Sequence, residues 1–336
     1  MRLGEEAYYQ CPETGSALKL EIGRQEQDEV VTGWLTSRTG RRHAINDGIP
    51  DLTFPPVLHA TDEKSRNFYN QRAEIYDKYL HLTFETFWED ETVTRNMMVD
   101  TLELKPHHRV LEVSCGSGRD SALLAQRLDA SGKLYLQDIS LPMLEKCVER
   151  LHGVSVPVEY SVSNGSYLPF PDRYFDAVYH FGGLGEFGDI KRALKEFARV
   201  TKVGGRVVVG DESMPPWLRE TRFAKVLTAT NPQFNAPLPL QEMPVEARDV
   251  RLRWMIGGVF YLIDFVVGEG EPPANFNYEI PGPRGGTHLT RVDGQLEGVN
   301  LETKALALQA MEKSGKSMHA WLDEVVKAAA RRELGE

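Results

Sequence analysis

The chain has 336 residues, 41% of them hydrophobic and 26% charged, and a formal net charge of -10. These values sit near the average of soluble globular proteins and exclude a disordered, collagenous or fibrous chain. Acidic residues outnumber basic ones by 49 to 39, which argues against broad binding to nucleic acid or anionic membrane, since both need clustered Lys and Arg.

Residues 1 to about 55 read as a small β-rich module. Leu18 to Ile22 and Val30 to Leu35 are short alternating runs bounded by Gly, Asp and charged residues, and Ile49 to Leu52 closes the unit. A polar, helical segment follows at about 61–104. From Val110 the pattern changes to strands spaced by helices. Strands are expected at Val110–Val113, Lys133–Asp138, Val156–Val162, Tyr174–His180 and Gly205–Gly210. Helices are expected at Asp120–Leu128, Leu141–Leu151 and Asp189–Val200. This alternation implies βαβ units and a parallel sheet. Val250–Met255 and Val259–Val267 flank Gly257 and Gly258 and read as a hairpin that closes the sheet. Residues 271–336 hold a Pro/Gly-rich loop and then two helices, Glu302–Lys313 and Ser317–Arg332, with Ser317 as an N-cap.

Three cysteines, Cys11, Cys115 and Cys147, form no CxxC pair. They offer neither a disulfide framework nor a four-thiolate zinc site and fit a reducing cytosol. Met1 to Gln10 lacks the apolar run of a signal peptide. Met255–Gly268 is too short to span a membrane and contains Asp264. The expected location is cytoplasmic, with no membrane span and no metal.

The stretch from Val110 to Asp120 is the most informative. Gly116 and Gly118 lie between a strand and a helix, where glycine lets a ligand approach the backbone. The helix N-terminus there offers free N–H groups. Asp138 stands at the end of the next strand, where a carboxylate accepts hydrogen bonds from both ribose hydroxyls of an adenosine. A dinucleotide cofactor suits the loop poorly. Its fingerprint needs a third glycine where this chain has Ser121, and Glu112 would repel a pyrophosphate. The same glutamate suits a cationic amine, so S-adenosylmethionine fits better.

Residues 105–212 resemble the class I S-adenosylmethionine-dependent methyltransferases of the ubiquinone/menaquinone-biosynthesis type. The family loop, Asp/Glu-x-Gly-x-Gly-x-Gly, is matched by Glu112, Ser114, Gly116 and Gly118, with serine at the first glycine position. Serine fits there where φ is negative. Leu134 to Lys146 resembles the second motif, and implies Asp138 as the ribose ligand with Ile139 and Met143 near the adenine. Ser163 to Asp176 resembles the third region, with Asn164 where the family usually has Asp. An amide can still both donate to and accept from the adenine edge. Phe175 to His180 matches the fourth motif, and Leu194 to Gly205 the helix and turn before strand five. Ala73 to Asp77 matches a family element that implies Tyr76 over the carboxylate end of the cofactor.

The resemblance implies an α/β, Rossmann-like seven-stranded sheet with one antiparallel strand. The implied cofactor residues are Tyr76, Glu112, Ser114, Cys115, Gly116, Gly118, Asp138, Ile139, Met143, Asn164, Gly165, Ser166, His180 and Phe181. His180 is the candidate catalytic base, ahead of Glu186 and Asp211. Residues 213–247 are expected to cover the acceptor, with Trp217, Phe223 and Phe234 making that cover apolar. This points to a small hydrophobic or aromatic acceptor.

The ends carry two further resemblances. Tyr9 to Leu18 and Thr39 to Pro50 resemble the zinc-ribbon-like domain of tRNA-methyltransferase activators, also found ahead of an rRNA guanine methyltransferase. Only Cys11 remains of the thiolates. Thr14, Ser37 and Thr39 stand near the other ligand positions, and neutral hydroxyls hold Zn²⁺ poorly. Val299 to Trp321 loosely resembles a ribbon-helix-helix unit, a resemblance that implies either a homodimer through the C-terminal helices or a helix pair capping the sheet. From Gly286 onward seven basic residues face eight acidic ones, too balanced for a DNA footprint. A small-molecule methyltransferase is the leading reading. An rRNA or tRNA methyltransferase and a non-catalytic cofactor-binding regulator stand behind it.

Overall fold

The computed structural model describes residues 1–293 and 299–336. They fall into two compact units, 1–271 and 272–336. The first begins with an antiparallel meander of β1 (Lys19–Glu26), β2 (Glu29–Thr36), β3 (Arg42–Asn46) and β4 (Ile49–Pro50). Alternation along β2 decides its orientation. Val30 and Leu35 are buried, while Trp34 between them is exposed and carries the Arg42 guanidinium over its ring at 4.3 Å. The buried face does not close on itself. Val30, Leu35, Ile45 and Leu52 belong to one core with Tyr135 and Phe175 of the main sheet and Phe170 of the segment leading into Phe175. The Leu52 N–H donates to the Val162 carbonyl at 2.8 Å, so the meander runs into the edge of the larger sheet. The boundary expected near residue 55 is therefore not a break in packing.

Two helices follow, α1 (Ala60–Thr86) and α2 (Glu91–Asp100). The polar segment expected to be helical as a whole breaks at Trp88, which has φ of 55°. Asp90 then caps α2, its carboxylate accepting from the Val93 N–H at 2.9 Å. Next come β5 (Arg109–Val113), α3 (Arg119–Gln126), β6 (Lys133–Asp138), α4 (Leu141–Arg150), β7 (Val158–Val162) and β8 (Phe175–Phe181). They are followed by α5 (Ile190–Val200), β9 (Thr201–Glu212), α6 (Arg222–Thr230), β10 (Ala247–Met255) and β11 (Phe260–Val267).

The sheet order is β10-β11-β9-β8-β5-β6-β7. β11 runs antiparallel to both neighbours, and the other pairs are parallel. This is the seven-stranded sheet with one reversed strand that the sequence implied. The order changes direction between β5 and β8. The chain winds outward through β6 and β7, then returns to the other side of β5. Helices on either side of such a reversal leave a crevice at the carboxyl ends of the strands.

The second unit holds α7 (His288–Val292), α8 (Leu301–Ser314) and α9 (Met318–Leu334). Asn300 and Ser317 cap the last two by accepting from the Thr303 and Ala320 N–H groups, and Gly315 between them takes the left-handed conformation. The segment Val299 to Trp321 that resembles a ribbon-helix-helix unit falls on α8, its C-terminal turn and the start of α9, and among the described residues no strand precedes α8 in this unit. Among the described residues no helix is long and apolar enough to cross a membrane.

Because Leu35 is fully buried in the shared core, Leu35→Ala is expected to cost about 2–5 kcal/mol. Chemical denaturation should report one transition for residues 1–271. A separate, earlier transition of the meander would count against the shared core.

Candidate active site

The crevice encloses a cavity of about 430 Å³. Its floor is the turn that follows β5. Ser114 has φ of 56° and Gly116 φ of 55°. The N–H groups of Ser114 and Cys115 bond to the side-chain and main-chain oxygens of Gln137, at 3.0 and 2.9 Å. The Gly116 N–H donates to Asp138 Oδ2 at 2.8 Å. The backbone at Ser114 thus departs from the negative φ that serine prefers. Side chains in this left-handed region are strained, and the two bonds to Gln137 hold the turn despite it. Gly118 caps α3 with φ of 81°. A Cβ there would lie 2.6 Å from Cys147 Sγ, so its smallness serves the packing of α3 on α4.

Asp138 is buried at the end of β6. Its second oxygen accepts from the Ser140 N–H at 2.8 Å. Desolvation pushes its pKa up to about 6, against the pull of these N–H donors. Each carboxylate oxygen keeps acceptor capacity for a ribose hydroxyl. Glu112 is buried beneath the turn and takes a hydrogen bond from the Ser121 hydroxyl. Burial, and then the nearby Asp120, hold its carboxyl well above the usual carboxylate range.

Asp120 is itself bound by Arg95 Nη1 at 2.7 Å and by the Tyr179 hydroxyl at 3.2 Å. Arg95, Asp120 and Arg119 all line the cavity, and single-sequence reasoning passed over them. Arg95 lies on α2, far from the glycine loop in the chain, so no local pattern marks it. Asp77 ties α1 to the turn by accepting from Ser117 Oγ at 2.7 Å and Arg119 Nε at 2.9 Å. It also pairs with Arg150. The Ala73 to Asp77 element carried that signal.

Of the expected cofactor residues, Tyr76, Glu112, Ser114, Cys115, Gly116, Asp138, Ile139, Met143, Asn164, Gly165 and Phe181 line this cavity. Gly118, Ser166 and His180 do not. His180 is fully buried, with its ring 5.2 Å from that of Phe187 and 5.9 Å from that of Phe197. Its Nδ1–H donates to the Val113 carbonyl at 2.9 Å, and burial pushes the imidazole pKa down. It therefore braces the strand end just before Ser114, in place of the acceptor-facing role expected of it.

Asp211, the candidate base ranked behind His180, is also buried. It accepts from the N–H groups of Gly183 and Gly185 at 2.9 and 2.6 Å. Of the acids near the ends of β8 and β9, Glu186 and Glu212 do line the cavity. The cover differs from expectation as well. Trp217 and Phe223 are exposed, and Phe234 is buried behind Phe260 at 5.9 Å. The residues that segment 213–247 gives to the cavity are the polar Asn231 and Gln233. Apolar walls come instead from Phe68, Phe84, Phe181, Phe187, Ile256 and Phe260.

Residues 58–225 match the model of the ubiE/COQ5 methyltransferase family. The chain belongs to that family. It is 38% identical over 125 residues to the ubiquinone/menaquinone biosynthesis C-methyltransferase UbiE of Stenotrophomonas maltophilia, covering 36% of this chain and 49% of that protein. It is 31% identical over 158 residues to the enzyme of the same name from Pasteurella multocida, covering 46% of this chain and 59% of that one. The chain spans about half the length of these curated relatives. A solved S-adenosylmethionine-dependent methyltransferase from Aquifex aeolicus is 20% identical, with a TM-score of 0.39, and covers 52% of this chain and 89% of that one.

S-adenosylmethionine is the cofactor of this family member, and the donor set fits it. The buried carboxyls of Asp138 and Glu112, the bare backbone of Gly116 and the apolar Ile139 and Met143 all line the one cavity.

Ser114→Gly should stabilise the protein by roughly 0.5–1 kcal/mol, since it relieves a left-handed side chain at some cost in backbone entropy. A lower melting temperature would refute the strain. The Asp138 pKa of about 6 sets the sign of a pH effect. The ribose hydroxyls need the ionised acceptor, so cofactor affinity should fall as pH drops through about 6. Asp138→Asn should weaken binding about tenfold to a hundredfold, the loss of one or more hydrogen bonds to a charged group, and flatten that pH dependence in calorimetry.

Proposed function

We propose that the chain transfers a methyl group from S-adenosylmethionine to a small acceptor with an apolar or aromatic body. Following the names of the curated relatives, we take the methylated atom to be carbon. The observation that carries this reading is the continuity of the cavity. One enclosed space joins the Asp138 carboxylate to a group of phenylalanines and the Glu186 and Glu212 carboxyls.

When bound, the cofactor supplies a methyl group on a sulfonium, which leaves the protein to orient, desolvate and order. Asp138 and the Gly116 turn fix the adenosine end. Tyr69 and Tyr76, stacked edge to face at 5.9 Å on α1, close the cavity from above and exclude water from the reacting groups. Phe181 and Phe260 stack at 6.0 Å and give a flat acceptor a wall to lie against.

Glu212 ends β9 at the acceptor side. Burial, and then Asp211, raise its carboxyl well above the usual range. In its protonated form it donates a hydrogen bond to an oxygen on the acceptor. Burial raises the Glu186 carboxyl too. An acidic, largely apolar chamber of this size disfavours a polyanionic substrate, because among the described residues the arginines of its lining, Arg95 and Arg119, are already paired with Asp120, Glu91 and Asp77.

The test is incubation with methyl-labelled cofactor and fractionated cell extract, followed by mass analysis of labelled products. Label should enter a small, organic-soluble compound on a carbon atom. Label found only in RNA or protein, or none transferred by a protein that binds the cofactor, would overturn the reading.

A further inference from the structure

The third motif region departs from its family at Asn164, and the structure supplies the counterpart to that change on a distant element. Asn164 and Asp62 are both buried and both line the cavity. They are 102 residues apart in the chain. Asn164 Nδ2 donates to Asp62 Oδ2 at 3.1 Å. The Oδ1 atom of each side chain is already committed to a backbone donor. The Ser166 N–H donates to Asn164 Oδ1 at 2.9 Å, and the Gly188 N–H donates to Asp62 Oδ1 at 2.7 Å.

These two backbone bonds fix the orientation of the pair. With Oδ1 of Asn164 turned to Ser166, only its amine faces α1. With Oδ1 of Asp62 turned to Gly188, only its second oxygen faces Asn164. The contact therefore needs one donor and one acceptor. An acid at both positions sets two acceptors against each other in a buried site. An amide at both sets two donors against each other. Either leaves buried polar groups unpaired, which costs more than the bond itself is worth.

Three segments meet at this contact: the start of α1, the turn 163–166 after β7, and the loop 182–188 after β8. All three contribute to the cavity wall. Ser65, one turn along α1, adds a hydrogen bond to the Glu186 carbonyl at 3.3 Å. We propose that Asn164 and Asp62 act as one positioning unit that ties α1 down over the cofactor cavity, so the identity of residue 164 is set by residue 62 and not by the adenine edge alone. On this view an amide stands at 164 because α1 presents a carboxylate to it.

The pair is symmetric in what it offers, and the test uses that symmetry. In Asp62→Asn combined with Asn164→Asp, the Gly188 and Ser166 N–H groups keep an oxygen each, and the central bond re-forms with its direction reversed. Wild type, both single variants and the double variant would be titrated with S-adenosylhomocysteine by calorimetry, with thermal melting of each. Each single change is expected to weaken binding about tenfold or more, and the double variant to return to within about threefold of wild type, a non-additivity typical of residues in direct contact.

The proposal rests on the cavity holding the adenosyl cofactor, and the two can fail separately. A wild type that does not bind the probe overturns both. A wild type that binds while the single losses simply add in the double variant overturns the pairing alone. So does a fall in melting temperature of the single variants with unchanged affinity, because that is a purely structural role. If a single variant fails to fold, recovery of folding and binding in the double variant supports the pairing, and failure of the double variant to bind overturns it.

Discussion

The bond from the Gly116 N–H to the Asp138 carboxylate is the constraint on which the site depends. It joins the ends of two neighbouring parallel strands at the point where the sheet order reverses. Parallel pairing of β5 with β6 places the two ends side by side, and the turn after β5 must then curl back over β6 to complete the contact. That curl is what forces left-handed backbone at Ser114 and Gly116. It also aims the turn's remaining surface into the cavity and leaves Asp138 poised for hydroxyl donors.

Around this joint the protein concentrates buried charge, which is costly unless it is paired. The pairs form between elements rather than within them. Asp120 draws Arg95 from α2, Asp77 on α1 takes Ser117 and Arg119 from the turn and α3, and Asp62 meets Asn164 and Gly188. The helices that close the cavity are thus held by polar contacts at the cavity rim, while the apolar cores lie on the two faces of the sheet. Polar contacts of this kind specify a geometry tightly, because a misplaced helix leaves buried groups without partners.

The N-terminal meander rests on local hydrogen bonds and on a core shared with the main sheet. Ser37 Oγ and Thr39 Oγ1 lie 2.9 Å apart, as do Thr14 Oγ1 and Ser16 Oγ. Hydroxyl pairs close the turns at 14–16 and 37–39, and Cys11 is buried in the core. The turns are held by local hydrogen bonds, and the meander by the apolar face it shares with the main sheet.

Much of the fold was legible because its signals are local. Strand runs separated by helical periods, a glycine turn at a strand end and an acid after the next strand are all spaced by regular geometry, and they led to the sheet and to Glu112, Gly116 and Asp138. The sequence by itself determined that a nucleoside-binding α/β sheet forms and where its cofactor turn lies. It could not decide which way His180 or Asp211 points, since a polar residue at a strand end reads the same whether it faces a ligand or braces a backbone group. Nor could it place Arg95, Asp62 or Glu212 at the cavity, or exchange the apolar residues of the cover for Asn231 and Gln233. Those assignments depend on contacts between residues far apart in the chain, and only the packing of α1, α2 and the cover segment over the reversed strand order brings them together.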